Sequence, residues 1–273
     1  MFLKLDKAFF TRAQQTATSF FRLAVNVKPL NGTIIPYFQP IVRAKDGRVL
    51  GVEVLMRKIH PNLGIISPDE FVPCAEANGD ILFMTKEIIK HVSEIVKNSC
   101  EAYPIGFHIS LNITPQLLQE DTLIVDLFFF KRLCETKNLL LVIEITERTQ
   151  LQHNDEILRS LKILSNIGVK IALDDFGVGY SNLSLLCFFS FDFLKIDKSF
   201  ILNVGKSKRS EHIIDSIVNI AKELNVMVVA EGVESHLQET YLRSKGVDYL
   251  QGFLYSKPLS QQELNSFMAK YTE

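Results

Sequence analysis

Short apolar runs that end in a carboxylate, an amide or a lysine recur along this chain, and the recurrence limits the folds open to it more than any other feature. The runs are VLGVEVLMR with Glu53, GFHISLN with Asn112, LLLVIEITE with Glu144 and Glu147, IALDDFGVGYSNL with Asp174 and Asp175, FDFLKID with Lys195 and Asp197, and VMVVAEGVE with Glu231 and Glu234. With IPYFQPIV and VDYLQGFLY they make eight strand candidates. Segments of helical period lie between them. Ser67-Pro68-Asp69-Glu70 reads as a helix start with proline in the first turn, NDEILRSLKILSNIG closes on Gly168, and Ser260 with Glu263 fits a capping box before the last helix.

Alternation of strand and helix from Ile34 to the C-terminus predicts a mostly parallel sheet. Eight strands fit a (β/α)8 TIM-type barrel better than an open doubly wound sheet, and no G-x-G-x-x-G turn follows the first strand. In such a barrel the C-terminal strand ends share one mouth, where active sites are built. Asn112, Asp174, Asp175, Asp197 and Gln251 all lie at or near the ends of apolar runs.

Residues 1–33 stand apart. Their mixed pattern, FLKLDKAFFTRAQQTATSFFRLAV, fits an amphipathic helix, so the chain divides into an N-terminal helical extension or linker (1–33) and a barrel domain (34–273). A formal net charge of −1 offers no bulk attraction to nucleic acid polymers or anionic lipid, so phosphate recognition has to come from a local site. The N-terminal apolar stretches are cut by Arg12, Arg22 and Lys28, too short for a bilayer span, and a cytoplasmic protein is expected. Cys74, Cys100, Cys134 and Cys187 are widely spaced and read as reduced, mostly buried thiols.

Hard cations such as Mg²⁺ and Mn²⁺ prefer oxygen donors, and Glu53, Asn112, Glu144 and Asp174 offer three carboxylates and an amide oxygen. The adjacent Asp175 points to a second ion, and a pair of ions suits in-line attack on a phosphodiester. One acid at a strand end is as well explained as a helix cap, whereas several at one mouth repel one another unless cations balance them. Lys195, inside an apolar run, either neutralises an acid, Asp197 for example, or orients a water. Magnesium carboxylates with a lysine base also suit enolase-like proton abstraction, but the doubled aspartate favours two metals. Arg57, four residues after Glu53, is a candidate phosphate ligand. The six histidines form no ligand-spaced pair and read as structural or surface residues.

The ordered set Glu53-Val54-Leu55 with Arg57, Asn112, Glu144-x-x-Glu147, Asp174-Asp175-Phe176-Gly177-x-Gly179-Tyr180-Ser181, Lys195-Ile196-Asp197, Glu231-Gly232-Val233-Glu234 and Gln251-Gly252-Phe253 resembles the signature of EAL domains, phosphodiesterases of cyclic di-GMP. The resemblance spans Ile34 to the C-terminus. It implies a modified (β/α)8 barrel, two Mg²⁺ or Mn²⁺ ions, and hydrolysis of cyclic di-GMP to linear pGpG. It assigns Glu53, Asn112, Glu144 and Asp174 to the metals with Asp175 and Glu231 at the second site, and makes Glu53, Lys195 and Glu231 catalytic. Gln39, Arg57, Asp197, Glu234 and Gln251 become substrate-facing, and Glu147 steadies the loop after Asp175. Two positions depart from the family pattern: Val54 replaces an alanine, with little expected effect, and Val178 replaces a threonine or small residue, which removes a hydroxyl from the loop.

SLLCFFSFDF, just after that loop, is unusually rich in phenylalanine. Phe188 and Phe189 are expected at a homodimer contact, which the resemblance also implies. A catalytically weak cyclic di-GMP receptor and a protein-binding adaptor of the same fold are the alternatives to the enzyme.

Overall fold

The computed structural model describes residues 32–99, 103–146, 154–178 and 182–271. All but the last two residues of the expected N-terminal extension lie outside them, as does Glu147.

The strands in chain order are β1 (Thr33–Arg43), β2 (Val49–His60), β3 (Gly64–Ile66), β4 (His108–Asn112), β5 (Leu140–Thr146), β6 (Lys170–Phe176), β7 (Phe193–Ile196), β8 (Met227–Ala230) and β9 (Tyr249–Leu250). They form one sheet, ordered β1-β9-β8-β7-β6-β5-β4-β2-β3, and the further pairing of β1 with β2 closes it. The predicted barrel is therefore present, with β3 an added edge strand folded back on β2 from Lys58↔Ile66 to His60↔Gly64.

The expectation of a mostly parallel sheet holds from β2 through β4 to β9. β1 departs from it, running antiparallel to both β2 and β9. The cause is local: β1 and β2 join through the tight turn in which the Gly47 N–H donates to the carbonyl of Arg43 (3.0 Å), and a hairpin makes its strands antiparallel. Pro36 and Pro40 remove two donors from β1, and it meets β9 only beyond them, at Val42↔Leu250 and Arg43↔Tyr249. The run VDYLQGFLY supplies only the two-residue β9; beyond it the Gln251 N–H donates to the carbonyl of Ala230 and the Leu254 N–H to that of Val233.

The helices around the sheet are α1 (Pro68–Asn78), α2 (Asp80–Asn98), α3 (Asp121–Thr136), α4 (Asp155–Asn166), α5 (Asn182–Phe188), α6 (Lys198–Ile201), α7 (Lys208–Glu223), α8 (His236–Lys245) and α9 (Gln261–Tyr271), with a 3₁₀ turn at Pro115–Gln119. Their inner faces follow from spacing. In α2 the buried residues Ile81, Met84, Thr85, Ile88, Ile89, Val92 and Val96 recur every three or four positions and lie on one stripe. Ser67 makes no side-chain cap bond at the start of α1, although Pro68 sits in its first turn as predicted. The capping box at α9 is formed: the Ser260 N–H donates to Glu263 Oε2 (2.8 Å) and the Glu263 N–H to Ser260 Oγ (3.4 Å).

Two apolar clusters result. The larger fills the layer between strands and helices, and the smaller, Ile41, Val142, Ala172, Phe193 and Val229 with Tyr249 against it, plugs the barrel below its mouth. His108 belongs to this plug, its ring 5.6 Å from that of Phe193 and 5.5 Å from that of Tyr249. It fits because its neighbour on β2 is glycine: a Cβ on Gly51 would stand 2.4 Å from His108 Nε2. Burial, with a smaller contribution from the Lys195 charge, lowers the His108 pKa from 6.5 to about 4.

A histidine depressed in this way favours the folded state above its unfolded pKa, and that contribution is lost as pH falls from 6.5 towards 4. We therefore expect His108→Leu to flatten the acid limb of the stability curve by about 3 kcal/mol across that window. Urea titrations of both proteins at several pH values measure it, and parallel curves would contradict the assignment.

Of the described cysteines only Cys134 is buried, its thiol pushed up to about 12 by burial. Cys74 and Cys187 are exposed on α1 and α5, contrary to the expectation of mostly buried thiols, because each falls on the outward side of its helix. No described helix is long and apolar enough to cross a membrane.

Candidate active site

At the C-terminal strand ends the polar residues of the sequence runs meet. Glu53 on β2 is buried, and each of its oxygens is held by an amide: Asn112 Nδ2 donates to Oε1 (2.6 Å) and Gln251 Nε2 to Oε2 (2.6 Å). Gln251 Nε2 also donates to Gln39 Oε1 (3.2 Å), and Gln39 Nε2 to the carbonyl of Ser256 (3.3 Å). Gln39 reaches the site from mid-strand because antiparallel β1 sets it directly opposite Glu53. Gln251 Oε1 is buried with no hydrogen-bond partner among the described residues.

Lys195 lies at the centre, almost fully buried. Its Nζ is 2.5 Å from Glu231 Oε1, 3.4 Å from Asp174 Oδ1 and 3.6 Å from Glu53 Oε2, and it donates to Glu144 Oε2. Asp197 does not pair with it. That aspartate instead caps α6, its Oδ1 accepting from the Ser199 N–H (2.9 Å).

One buried ammonium facing four carboxylates leaves negative charge in excess, and the protonation equilibria register it. Burial works to raise Glu53, but Lys195 and the amide donors outweigh it and hold Glu53 below the usual range. Glu144 is raised to about 8 by burial and then by the charge of Glu53. Glu231 is raised well above its ordinary value by burial, with Asp174 and Glu53 adding to it. Burial would lower Lys195, yet the four carboxylates keep it firmly protonated.

Asp174, Asp175 and Glu231 each present an oxygen within 4.8 Å of the others, a geometry that could hold a cation. All are hard oxygen donors, as Mg²⁺, Mn²⁺ or Ca²⁺ requires. The backbone at Asp175 adopts φ 55°, a left-handed conformation unusual for a non-glycine residue, and its N–H turns back to Asp174 Oδ1 (2.9 Å). β6 reaches this point through a register irregularity between Leu173 and Phe176 in its pairing with β7.

The remaining predicted residues are less central. Arg57 is half-buried, its guanidinium carbon 5.7 Å from the Tyr37 ring centroid and its Nη1 donating to the carbonyl of Met56 (2.8 Å). Tyr37 was not among the expected residues, although its two-residue spacing from Gln39 on β1 places both on one face. Glu234 is exposed, its N–H donating to Gln238 Oε1 (2.7 Å). Val178 is exposed, its N–H directed to the carbonyl of Asp175 (3.3 Å).

Phe188 and Phe189 were expected to act together, but the structure separates them. Phe188 is 57% exposed, whereas Phe189 is buried, its ring centroid 5.1 Å from that of Phe191, because the chain leaves α5 there and turns inward toward β7.

Known proteins resemble this chain in sequence and fold. The family model of the EAL domain matches residues 22–258. The "Probable cyclic di-GMP phosphodiesterase PdeG" of Escherichia coli strain K12 is 36% identical over 260 residues, covering 95% of this chain and 50% of the relative. "Cyclic di-GMP phosphodiesterase PdeL" of the same strain is 36% identical over 236 residues, covering 86% of this chain and 65% of its own length. The chain thus spans about half to two thirds of these curated relatives. Among solved structures, the "PaMucR Phosphodiesterase, c-di-GMP complex" superposes with a TM-score of 0.72 at 32% identity, covering 85% of this chain and 94% of that one. A family-model match over residues 22–258, most of the barrel, makes the chain a member of the EAL-domain family.

Proposed function

We propose that the protein is a metal-dependent phosphodiesterase that hydrolyses cyclic di-GMP to linear pGpG. The observation that carries the reading is the gathering of Glu53, Glu144, Asp174 and Glu231 around Lys195, with Asp175 beside Asp174 and Glu231. Such a charge excess suits divalent cations, and we assign Glu53, Asn112, Glu144, Asp174, Asp175 and Glu231 to two Mg²⁺ or Mn²⁺ ions. When bound, those ions supply an activated water and positive charge for the phosphodiester oxygens.

The protein's own residues do the rest. Gln251 and Asn112 fix the rotamer of Glu53, so its oxygens are set before substrate arrives. Lys195, protonated among carboxylates, acts as a fixed positive charge and donor that orients the attacking water and offsets charge developing in the transition state. Arg57, steadied by the Tyr37 face, meets a phosphate at the rim, while Gln39, Gln251, Asp197 and Glu234 face the nucleotide. In this reading residues 1–33 form an extension, residues 34–273 form the domain, and the enzyme works in the cytoplasm on a nucleotide messenger.

Purified protein with Mg²⁺ or Mn²⁺ should convert cyclic di-GMP to pGpG, with turnover abolished by chelation and reduced to background in Glu53→Ala. Tight binding without product would replace the enzyme with a receptor. No binding at all would favour an adaptor.

The same reading includes a homodimer through α5, now resting on Phe188 alone. Light scattering should give a dimer mass that falls to the monomer in Phe188→Glu. A dimer mass unchanged in the variant would place the contact elsewhere.

A further inference from the structure

β2 continues past Glu53 to His60, and the hairpin it makes with β3 carries an exposed apolar face. Ile59 (39% exposed) and Ile65 (56%) are cross-strand partners there, and Leu63 (73%) stands at the turn between them. The turn is fixed by His60, whose Nδ1 accepts from the Asn62 and Leu63 N–H groups (both 3.2 Å). Alternation along β2 puts Ile59 on the strand face that carries Glu53 and Arg57, about 7 Å beyond Arg57, while Lys58 and His60 project from the other. The phosphodiesterase reading gives this face no task.

The chain itself arrives at this rung. Thr33 pairs with Ile59 from the side opposite Ile65, and Gly32 lies so near that a Cβ there would stand 2.5 Å from the Ile59 carbonyl oxygen. The residues before Gly32 are therefore tethered beside the face. A segment joined to its site through a few residues meets it at an effective concentration of about millimolar, so even a weak contact is held. The sequence of that segment suits the face. Phe9, Ala13, Ala17, Phe20, Ala24 and Val27 recur every three or four positions, the spacing of one apolar helix stripe, and Pro29 ends such a helix before β1. Residues 1–31 are also basic, with Lys4, Lys7, Arg12, Arg22 and Lys28 against a single acid, Asp6. Asp69 and Glu70, exposed in the first turn of α1 just after β3, supply the opposite charge.

We propose that residues 9–27 of this chain dock on the β2–β3 hairpin, their apolar stripe against Ile59, Leu63 and Ile65 and their basic side chains toward Asp69 and Glu70. Covalent tethering and opposite charge select this occupant over a separate protein. A segment seated there borders Arg57, so the N-terminal extension forms part of the rim of the mouth. The contact stands whether or not the barrel hydrolyses a dinucleotide.

Photocrosslinking in the full chain tests this. With Ile65 replaced by p-benzoylphenylalanine and the protein mixed with a nitrogen-15-labelled copy, irradiation and peptide mass spectrometry should find cross-links to residues 9–27 of the same chain. The same probe at Ile105, which is 95% exposed before the start of β4, should give none to that segment. Hydrogen exchange supplies a second readout: in Ile65→Lys the amides of residues 9–27 should exchange about tenfold faster, with the barrel strands unchanged. Absence of cross-links to residues 9–27, equal cross-linking from position 105, or exchange unaltered in Ile65→Lys would overturn the proposal. So would cross-links that join light and heavy chains, which would make a second copy the occupant.

Discussion

Lys195→Met should all but silence the enzyme and loosen the metal-free fold as well. Among the described residues the lysine is the only cation in contact with these four carboxylates, and it is buried with them. Removing one partner of a buried ionic group typically costs about 3–5 kcal/mol, because the charges left behind are uncompensated. Turnover should fall by about 10²–10⁴-fold, the range for a positioned group that handles charge at the reacting centre. Chemical denaturation in chelator should report the stability loss, and Mg²⁺ or Mn²⁺ should narrow it, since cations at the same carboxylates take over the missing countercharge. A variant as stable as wild type in chelator would mean that the acids do not depend on the lysine.

Asp175→Gly should separate stability from activity in the opposite sense. The residue holds φ 55°, which costs a non-glycine side chain on the order of 1 kcal/mol. Glycine removes that strain and also withdraws one negative charge from beside Asp174 and Glu231, so metal-free melting should rise by up to about 1 kcal/mol. Hydrolysis should drop by about 10²-fold or more, as for loss of a group stabilising charge in the transition state. Asp175→Ala isolates the two causes, since it loses the charge and keeps the strained backbone. If glycine melts lower than alanine, the left-handed geometry is not a cost that the active site carries.

The acids and the lysine were legible because apolar runs ending in polar residues have few other uses, and the barrel gathers strand ends mechanically. Glu53, Asn112, Glu144, Asp174 and Lys195 were therefore readable, though not the bonds among them. Gln39 meets Gln251 beside Glu53 because it lies opposite that glutamate, and this follows from antiparallel β1, which an alternation of runs does not reveal. A hint existed: Pro36 and Pro40 are poor residues for a strand bonded on both sides. Phe189 was misplaced for a different reason. Composition identifies an apolar cluster, but only the turn out of α5 decides which of two adjacent rings faces the core.

The way β1 meets β9 has a consequence for how the protein comes into being. The first strand of the barrel and the last are neighbours, joined by two ladder positions and, above them, by Gln251 reaching Gln39 and Glu53. During synthesis the ring stays open until β9 has emerged, so Glu53 waits for a residue made 198 positions later before its carboxylate is fixed. A shortened or stalled chain would carry nearly every acid of the site and still lack a finished one. A finished site thus also reports that the chain has been made through β9.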